Sequence, residues 1–337
     1  MKTKVRTVLF GLGNIGKHHL RLMQASDLVD VCAVVDMALP LVEGVPVFAT
    51  AVAFWDAVDA GALAKPAAAI VATPIPTHFG LARQLLERGL HVFVEKPITP
   101  TYAEAWALAQ LSHKFDKVLF VGHSERYNPA FIVFLAQFRK GITGQVYRIE
   151  CNRTGPYPQR VGDSGATIDL AVHDLDSLCA VMQDADPTWV FARMEQRIHP
   201  TQDDGLNAMI GYAPDVVVAL TVNWLSPRKN RYLNVYGRQG MLQCDFYLQK
   251  VTFFENLYQR SRPDEYGIGG IECGPEVDFV VPKWEPLAKE HEHFFTTVQA
   301  GGTVEAQEAL KRACLTIRLA NMLQQSSREN RQLEWPQ

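Results

Sequence analysis

Four short segments carry side chains whose type and spacing suit chemistry. The first is Gly11-Leu-Gly13-Asn14-Ile15-Gly16, which follows an apolar run and opens a helical pattern from His18 to Gln24. In that setting Gly11 permits a tight turn, Gly13 lets backbone amides approach a diphosphate, and Gly16 lets the helix lie close on the strand. The anion then sits at the helix N-terminus, where backbone N–H groups converge. Asp36 ends the next apolar run, 20 residues after Gly16, where a carboxylate accepts from both hydroxyls of an adenosine ribose. Its charge repels a 2′-phosphate and Met37 supplies no compensating cation, so the expected dinucleotide is NAD rather than NADP.

Two more segments close strand-like runs. In Ala72-Thr73-Pro74-Ile75-Pro76-Thr77-His78, Thr77 read alone is a helix cap and His78 a surface residue. The strand-end position makes Thr73, Pro74 and His78 candidates for cofactor contacts as well. Glu95-Lys96-Pro97-Ile98-Thr99 brings a carboxylate and an ammonium to the same edge. Lys96 there can polarise or protonate a substrate oxygen; the alternative is a solvated ion pair.

The fourth segment runs from Ser164 to Asp176 and includes Asp169, His173 and Asp174. Asp169 and His173 are four apart and share one helix face. An imidazole, with a reference pKa of about 6.5, is suited to taking a proton from an alcohol at neutral pH when a carboxylate orients it. The spacing equally allows Asp169 to cap the helix and His173 to be a core histidine. No further cluster has zinc-ligand spacing, so no catalytic metal is expected.

The elements that must position these groups alternate. Strand-like runs at Val5 to Phe10, Val31 to Val35, Ala67 to Ala72, Leu90 to Val94 and Val118 to Val121 are separated by helical patterns, which predicts a doubly wound parallel sheet. Gly89 stops the helix marked by Phe79, Ala82, Leu85 and Leu86. Asn128-Pro129 then opens another helix, with Asn128 as its cap. Period-two runs follow between Gln145 and Glu255, predicting a largely antiparallel sheet in an α+β domain. The expected division is 1–122 for the dinucleotide and 123–337 for substrate and oligomerisation. The segment Arg260 to Gly274 reads as a long surface loop, and Leu310, Ala313, Cys314, Ile317 and Ala320 mark a final amphipathic helix.

A net charge of −3 with scattered Lys and Arg gives no stripe to track a phosphate backbone, which points away from nucleic acid. No apolar run reaches the roughly 20 residues needed to span a bilayer. The six dispersed cysteines form no Cys-x-x-Cys pair and read as reduced packing residues, so a cytoplasmic protein is expected.

The glycine loop, Glu95-Lys96-Pro97 and the Asp169-x-x-x-His173 pair together resemble the Gfo/Idh/MocA oxidoreductases, in motif order over essentially the whole chain. The resemblance implies an NAD-binding Rossmann domain, a second domain on an open sheet, and Lys96 acting with Asp169 and His173. It also implies homo-oligomers, dimers or tetramers, formed through that sheet. Within the family, the segments His123-Ser-Glu-Arg126-Tyr127-Asn128, Gly155-Pro-Tyr157-Pro-Gln-Arg160 and Trp224-Leu-Ser-Pro-Arg228 are similar to those of dehydrogenases acting on the 3-hydroxyl of UDP-N-acetylhexosamines. Ser124 and Tyr127 are slight variations on that pattern. Arg126, Tyr127, Asn128, Arg153, Tyr157 and Arg160 are then substrate-binding candidates, with arginines for the phosphates. The same Lys96, Asp169 and His173 would serve a free sugar or inositol, and a nucleotide-binding sensor without turnover is the reading from another class.

Overall fold

A computed structural model describes residues 3–159, 164–258, 271–302 and 304–336. The chain divides into two compact units, one of 1–124 with 287–318 and one of 125–286 with 319–337.

The first unit begins with β1 (Val5–Phe10), the loop Gly11 to Gly13, and α1 (Asn14–Ala25). It continues through β2 (Val29–Val35), β3 (Val47–Phe48), α2 (Ala51–Asp59), β4 (Ala68–Val71), α3 (His78–Glu87), β5 (His91–Glu95), α4 (Tyr102–Lys114) and β6 (Leu119–Gly122). The strands are parallel, in the order β3-β2-β1-β4-β5-β6. Because β1 and β4 are neighbours from which the chain winds in opposite directions, a crevice opens at their C-terminal ends, where α/β sheets bind ligands. Central strands covered on both faces must be apolar throughout, and β4, Ala-Ala-Ile-Val, is fully buried. Helix starts are fixed locally: Thr50 accepts from the Ala53 amide at 3.1 Å, and the Thr101 hydroxyl accepts the Glu104 amide at 3.3 Å while donating to the Glu104 carboxylate at 2.9 Å.

The second unit holds α5 (Pro129–Arg139), β7 (Val146–Thr154), α6 (Val172–Val181), β8 (Trp189–Glu195), β9 (Gly205–Tyr212), β10 (Val216–Asn223), β11 (Asn230–Gly237), β12 (Gly240–Asp245), β13 (Lys250–Tyr258) and β14 (Ile271–Phe279). Two helices follow, α7 (Pro286–Gln299) and α8 (Val304–Glu329), and then β15 (Leu333–Glu334). The nine-stranded sheet runs β14-β13-β12-β11-β7-β10-β9-β8-β15 and is antiparallel except where β7 and β10 pair in parallel. Its inner face carries Ile149, Cys151, Leu220, Leu233, Leu242 and Cys244, all buried.

The chain passes from the first unit to the second between Ser124 and Glu125, and 287–318 group with the first unit, where a continuous domain of 123–337 was expected. The reason is aromatic packing: Phe294 of α7 meets Phe93 edge-on at 5.6 Å and Phe120 at 5.7 Å, covering β5 and β6. The expected loop from Arg260 to Gly274 lies outside the described residues up to 270; from Ile271 it is strand β14, paired with β13. All six cysteines are unpaired, and five are buried. Among the described residues no helix is long and apolar enough to cross a membrane.

Candidate active site

In the first unit the C-terminal edge of the parallel sheet gathers the first three sequence motifs. Gly11 has φ +87°, and a Cβ there would lie 2.5 Å from the Ala72 carbonyl oxygen. A Cβ on Gly16 would meet the Gly11 carbonyl oxygen at 2.2 Å, so α1 can approach β1 only because both positions lack side chains. Gly13 has nothing within 4 Å of the same position, which leaves the mouth of the loop open. No side chain caps α1, and Gly13, Asn14 and Ile15 are exposed, so its first amides remain available to an anion. The Asp36 carboxylate is aimed by two amides, accepting from Leu12 at 2.6 Å and Ala38 at 2.9 Å, each oxygen keeping a lone pair for a ribose hydroxyl. Met37 beside it is 89% exposed and brings no cation. This cradle fits a dinucleotide without a 2′-phosphate.

The other two strand-end loops are clamped. Thr77 is not a cap; its hydroxyl bonds the Pro74 carbonyl at 2.7 Å and the Thr73 hydroxyl at 2.7 Å, closing a short 3₁₀ turn over Ile75–Thr77. Nor is His78 on the surface. It is buried between the carbonyls of Pro97, 2.9 Å from Nδ1, and Thr73, 2.8 Å from Nε2, joining the loops after β4 and β5. Glu95 is buried rather than solvated. Its Oε1 lies 2.8 Å from His19 Nε2 and its Oε2 accepts the Lys96 amide at 3.1 Å. Burial would raise its pKa, but the hydrogen bond and electrostatics of His19, then the Lys96 ammonium and amide, outweigh that and hold it below the usual carboxylate value. Lys96 itself is half-buried at the strand end.

In the second unit Asp169 and His173 are both half-buried while most residues around them are fully buried, so they share one accessible face. Asp169 lies inside a π-helical turn, Thr167–Ala171, that leads into α6, and therefore does not cap it. The cap comes from afar: Asp203 accepts the Thr167 amide and hydroxyl, both at 2.7 Å. Gly165 must be glycine there, because a Cβ would meet the Asp203 carboxylate at 2.0 Å.

The arginines are mostly committed. Arg153 is buried, donating to Asp174 at 2.7 Å and Glu125 at 3.0 Å. Burial opposes its charge, but the two carboxylates prevail and raise its pKa. Arg126 grips Asp176 through Nε at 2.5 Å and Nη2 at 3.0 Å. Asn128 is buried; its amide donates to Glu125 and the Phe246 carbonyl, and its oxygen caps α5. These three were expected to touch substrate; in the structure each is engaged by protein partners. Arg160 lies outside the described residues. Tyr157 packs edge-on against Trp224, ring centres 6.1 Å apart, and Tyr127 is half-buried with its carbonyl accepting from Trp284 Nε1 at 2.8 Å.

With this geometry in place, the comparisons decide the family. The model described as "Oxidoreductase family, NAD-binding Rossmann fold" of the Gfo/Idh/MocA type matches residues 5–123, and the Gfo/Idh/MocA C-terminal domain matches 136–243. The chain belongs to the Gfo/Idh/MocA oxidoreductases. A UDP-N-acetylglucosamine 3-dehydrogenase of Acidithiobacillus ferrooxidans is 27% identical over 296 residues, 88% of this chain and 89% of that one. Among solved structures, GenD2 from gentamicin A biosynthesis in complex with NAD has a TM-score of 0.81 at 20% identity, covering 100% of this chain and 98% of that one. The WlbA dehydrogenase of Bordetella pertussis in complex with NADH and UDP-GlcNAcA has a TM-score of 0.79 at 18% identity, covering 99% and 100%. As a Gfo/Idh/MocA protein the chain is an NAD-dependent oxidoreductase.

Within this Gfo/Idh/MocA enzyme several residues escaped the sequence reading. Gly16, His19, Leu20 and Met23 form the buried stripe of α1, and a histidine on that stripe was the available signal. Asp203 and Glu125 gave no local sign, because their partners are 36 and 28 residues away. Arg231 is a further one. It stands in register with Arg153 across β7 and β11, half-buried, and makes no side-chain ion pair among the described residues. Burial first, and Arg153 second, lower its pKa, while Glu125, Asp174 and Asp169 oppose them.

Proposed function

We propose that this enzyme oxidises the 3-hydroxyl of a UDP-N-acetylhexosamine, UDP-GlcNAc or a close relative, to the 3-keto sugar. When bound, NAD supplies the hydride acceptor at the carbon that becomes the ketone. His173 takes the hydroxyl proton, oriented by Asp169, and Lys96 donates to the oxygen as charge develops on it. The observation that carries this reading is the accessible face shared by Asp169 and His173 on an element whose neighbouring side chains are buried. Similarity to a 3-dehydrogenase of a UDP-sugar over most of both chains supports the position oxidised.

Arg231 is the proposed receiver of the substrate's phosphates, with Tyr157, Tyr127 and Arg160 as further contacts. Thr73, Pro74, His78, Glu95 and Lys96 join the glycine loop and Asp36 on the cofactor side. Half-exposed Val217 and Ala219, with Met209 46% exposed, give the outer face of the nine-stranded sheet an apolar surface that supports assembly through it. The engagement of Arg126 and Arg153 by carboxylates favours a second reading, a free sugar or inositol, which needs fewer cations.

The test is NADH formation from UDP-GlcNAc, its uronic acid, glucose and myo-inositol, with an aminotransferase and amino donor drawing off ketone. Activity confined to UDP-sugars is expected; activity confined to glucose or inositol establishes the second reading instead.

A further inference from the structure

The mechanism above leaves three buried ionisable groups of the first unit in hydrogen-bonding sequence. Glu95 Oε1 lies 2.8 Å from His19 Nε2, and His19 Nδ1 lies 2.7 Å from His291 Nε2. All three are buried. They come from β5, α1 and α7, so the contact joins the strand that ends at Lys96, the helix that follows the glycine loop, and a helix nearly 200 residues further along the chain. We propose that His19 and His291 are positioning residues: through Glu95 they fix the Glu95–Lys96 peptide at the cofactor edge and so present Lys96 in one orientation. The proposal rests on the reading of Lys96 as the group that meets the substrate oxygen.

The protons can be placed. Glu95 accepts at both oxygens, from the Lys96 amide at Oε2 and from His19 at Oε1, which requires the hydrogen of His19 on Nε2. With one hydrogen on His19, its Nδ1 accepts and His291 donates from its own Nε2. His291 Nδ1 is then a lone pair, in agreement with the absence of any partner at that atom among the described residues; the reverse direction would leave an N–H there without an acceptor. Burial first, then the electrostatics of His19 and Arg21, push the His291 pKa down to about 3, so it stays neutral and keeps this single N–H. The charged or titratable groups bearing on the array are Lys96 beside Glu95, Arg21 on α1 and Glu290 next to His291 on α7.

Aromatic rings pack around the array: Phe93 meets His19 edge-on at 5.3 Å, and Phe93 and Phe295 each meet His291 at 5.9 Å. The Glu95 carboxyl lies against Gly122, where a Cβ would stand 3.1 Å from it, so a larger residue there would crowd it. On the far side of Lys96 the Pro97 carbonyl is held by His78. Lys96 is thus fixed before and after by buried histidines, and one of them rides on the helix whose N-terminus faces the dinucleotide site. Such a link costs one sequence position on each of three elements and needs no loop to close over the site.

The test compares the wild type with His19→Leu and His19→Gln as NAD complexes. In protein labelled with ¹⁵N-histidine, two-bond ¹H–¹⁵N spectra should show His291 as a neutral Nε2–H tautomer at pH 8, unchanged down to pH 5. An Nδ1–H or doubly protonated His291 in that range overturns the proton placement. With any substrate that gives NADH, His19→Leu should lower kcat roughly tenfold to a hundredfold, the scale of a displaced reacting group, while KM for NAD stays within about threefold. The acid limb of kcat should move to higher pH, because buried Glu95 loses its donor, and His19→Gln, which retains an N–H, should restore most of both. A variant that melts lower but keeps the wild-type acid limb and kcat makes His19 purely structural and overturns the proposal. Lys96→Met retaining turnover would instead remove the role of Lys96, and the His291 tautomer is read whether or not that happens.

Discussion

The cofactor edge of the first unit and the Asp169–His173 face of the second are built by opposite means. The first is mostly backbone: three glycines, a helix start without a cap, and a carboxylate aimed by amides of its own loop and the neighbouring one. The second is mostly side chain: Arg153 between Asp174 and Glu125, Arg126 on Asp176, and Asp203 holding a turn 36 residues away. A dinucleotide presents the same diphosphate and ribose to every such fold, so a backbone cradle suffices. The second unit holds His173 beside several buried charges, and each buried charge has to be neutralised by a partner.

That contrast can be broken at several points. Lys96→Met should lower turnover by about 1,000-fold, the scale seen when a donor to a developing oxyanion is removed, with NAD affinity within about threefold by titration. A loss of NAD binding equal to the loss of turnover would move Lys96 wholly into the cofactor cradle. Arg153→Met should destabilise the protein by about 3–5 kcal/mol in chemical denaturation, since Asp174 and Glu125 would be left facing each other without a cation. A change below about 1 kcal/mol would show that the second unit does not depend on paired charge. Gly11→Ala should cost about 2 kcal/mol and weaken NAD binding, given φ +87° and the 2.5 Å approach to Ala72. Asp203→Ala, measured by thermal melting, should cost about 1 kcal/mol, the usual value of a lost cap, and lower kcat more than it raises KM. An unchanged kcat would separate the π-helical turn from the chemistry.

The same contrast explains what was legible in the sequence. The glycine loop, Asp36 and the strand ends could be read because each function resides in consecutive residues with a fixed period. Asn128 was read correctly as a cap, but its bonds to Glu125 and Phe246 were not legible, because its type identifies hydrogen-bonding capacity and not the partner. Arg126 and Arg153 were taken for phosphate ligands for the same reason; their carboxylates lie 50 and 21 residues away and only the fold brings them near. Arg231, the cation left over, could be recognised only once the others had been assigned. The grouping of 287–318 with the first unit was not legible, because Phe294 and Phe295 carry nothing local to say which sheet they cover.

That grouping sets an order on synthesis. β5 and β6 leave the ribosome long before α7, so Phe93, Phe120 and the apolar side of His19 are exposed while about 165 further residues are made. The cofactor unit cannot complete its core until 125–286, most of the other unit, has been translated. NAD added to a nascent chain should therefore protect the N-terminal segment from proteolysis only after residue 318 has emerged, and a chain cut at 286 should need a chaperone rather than a cofactor.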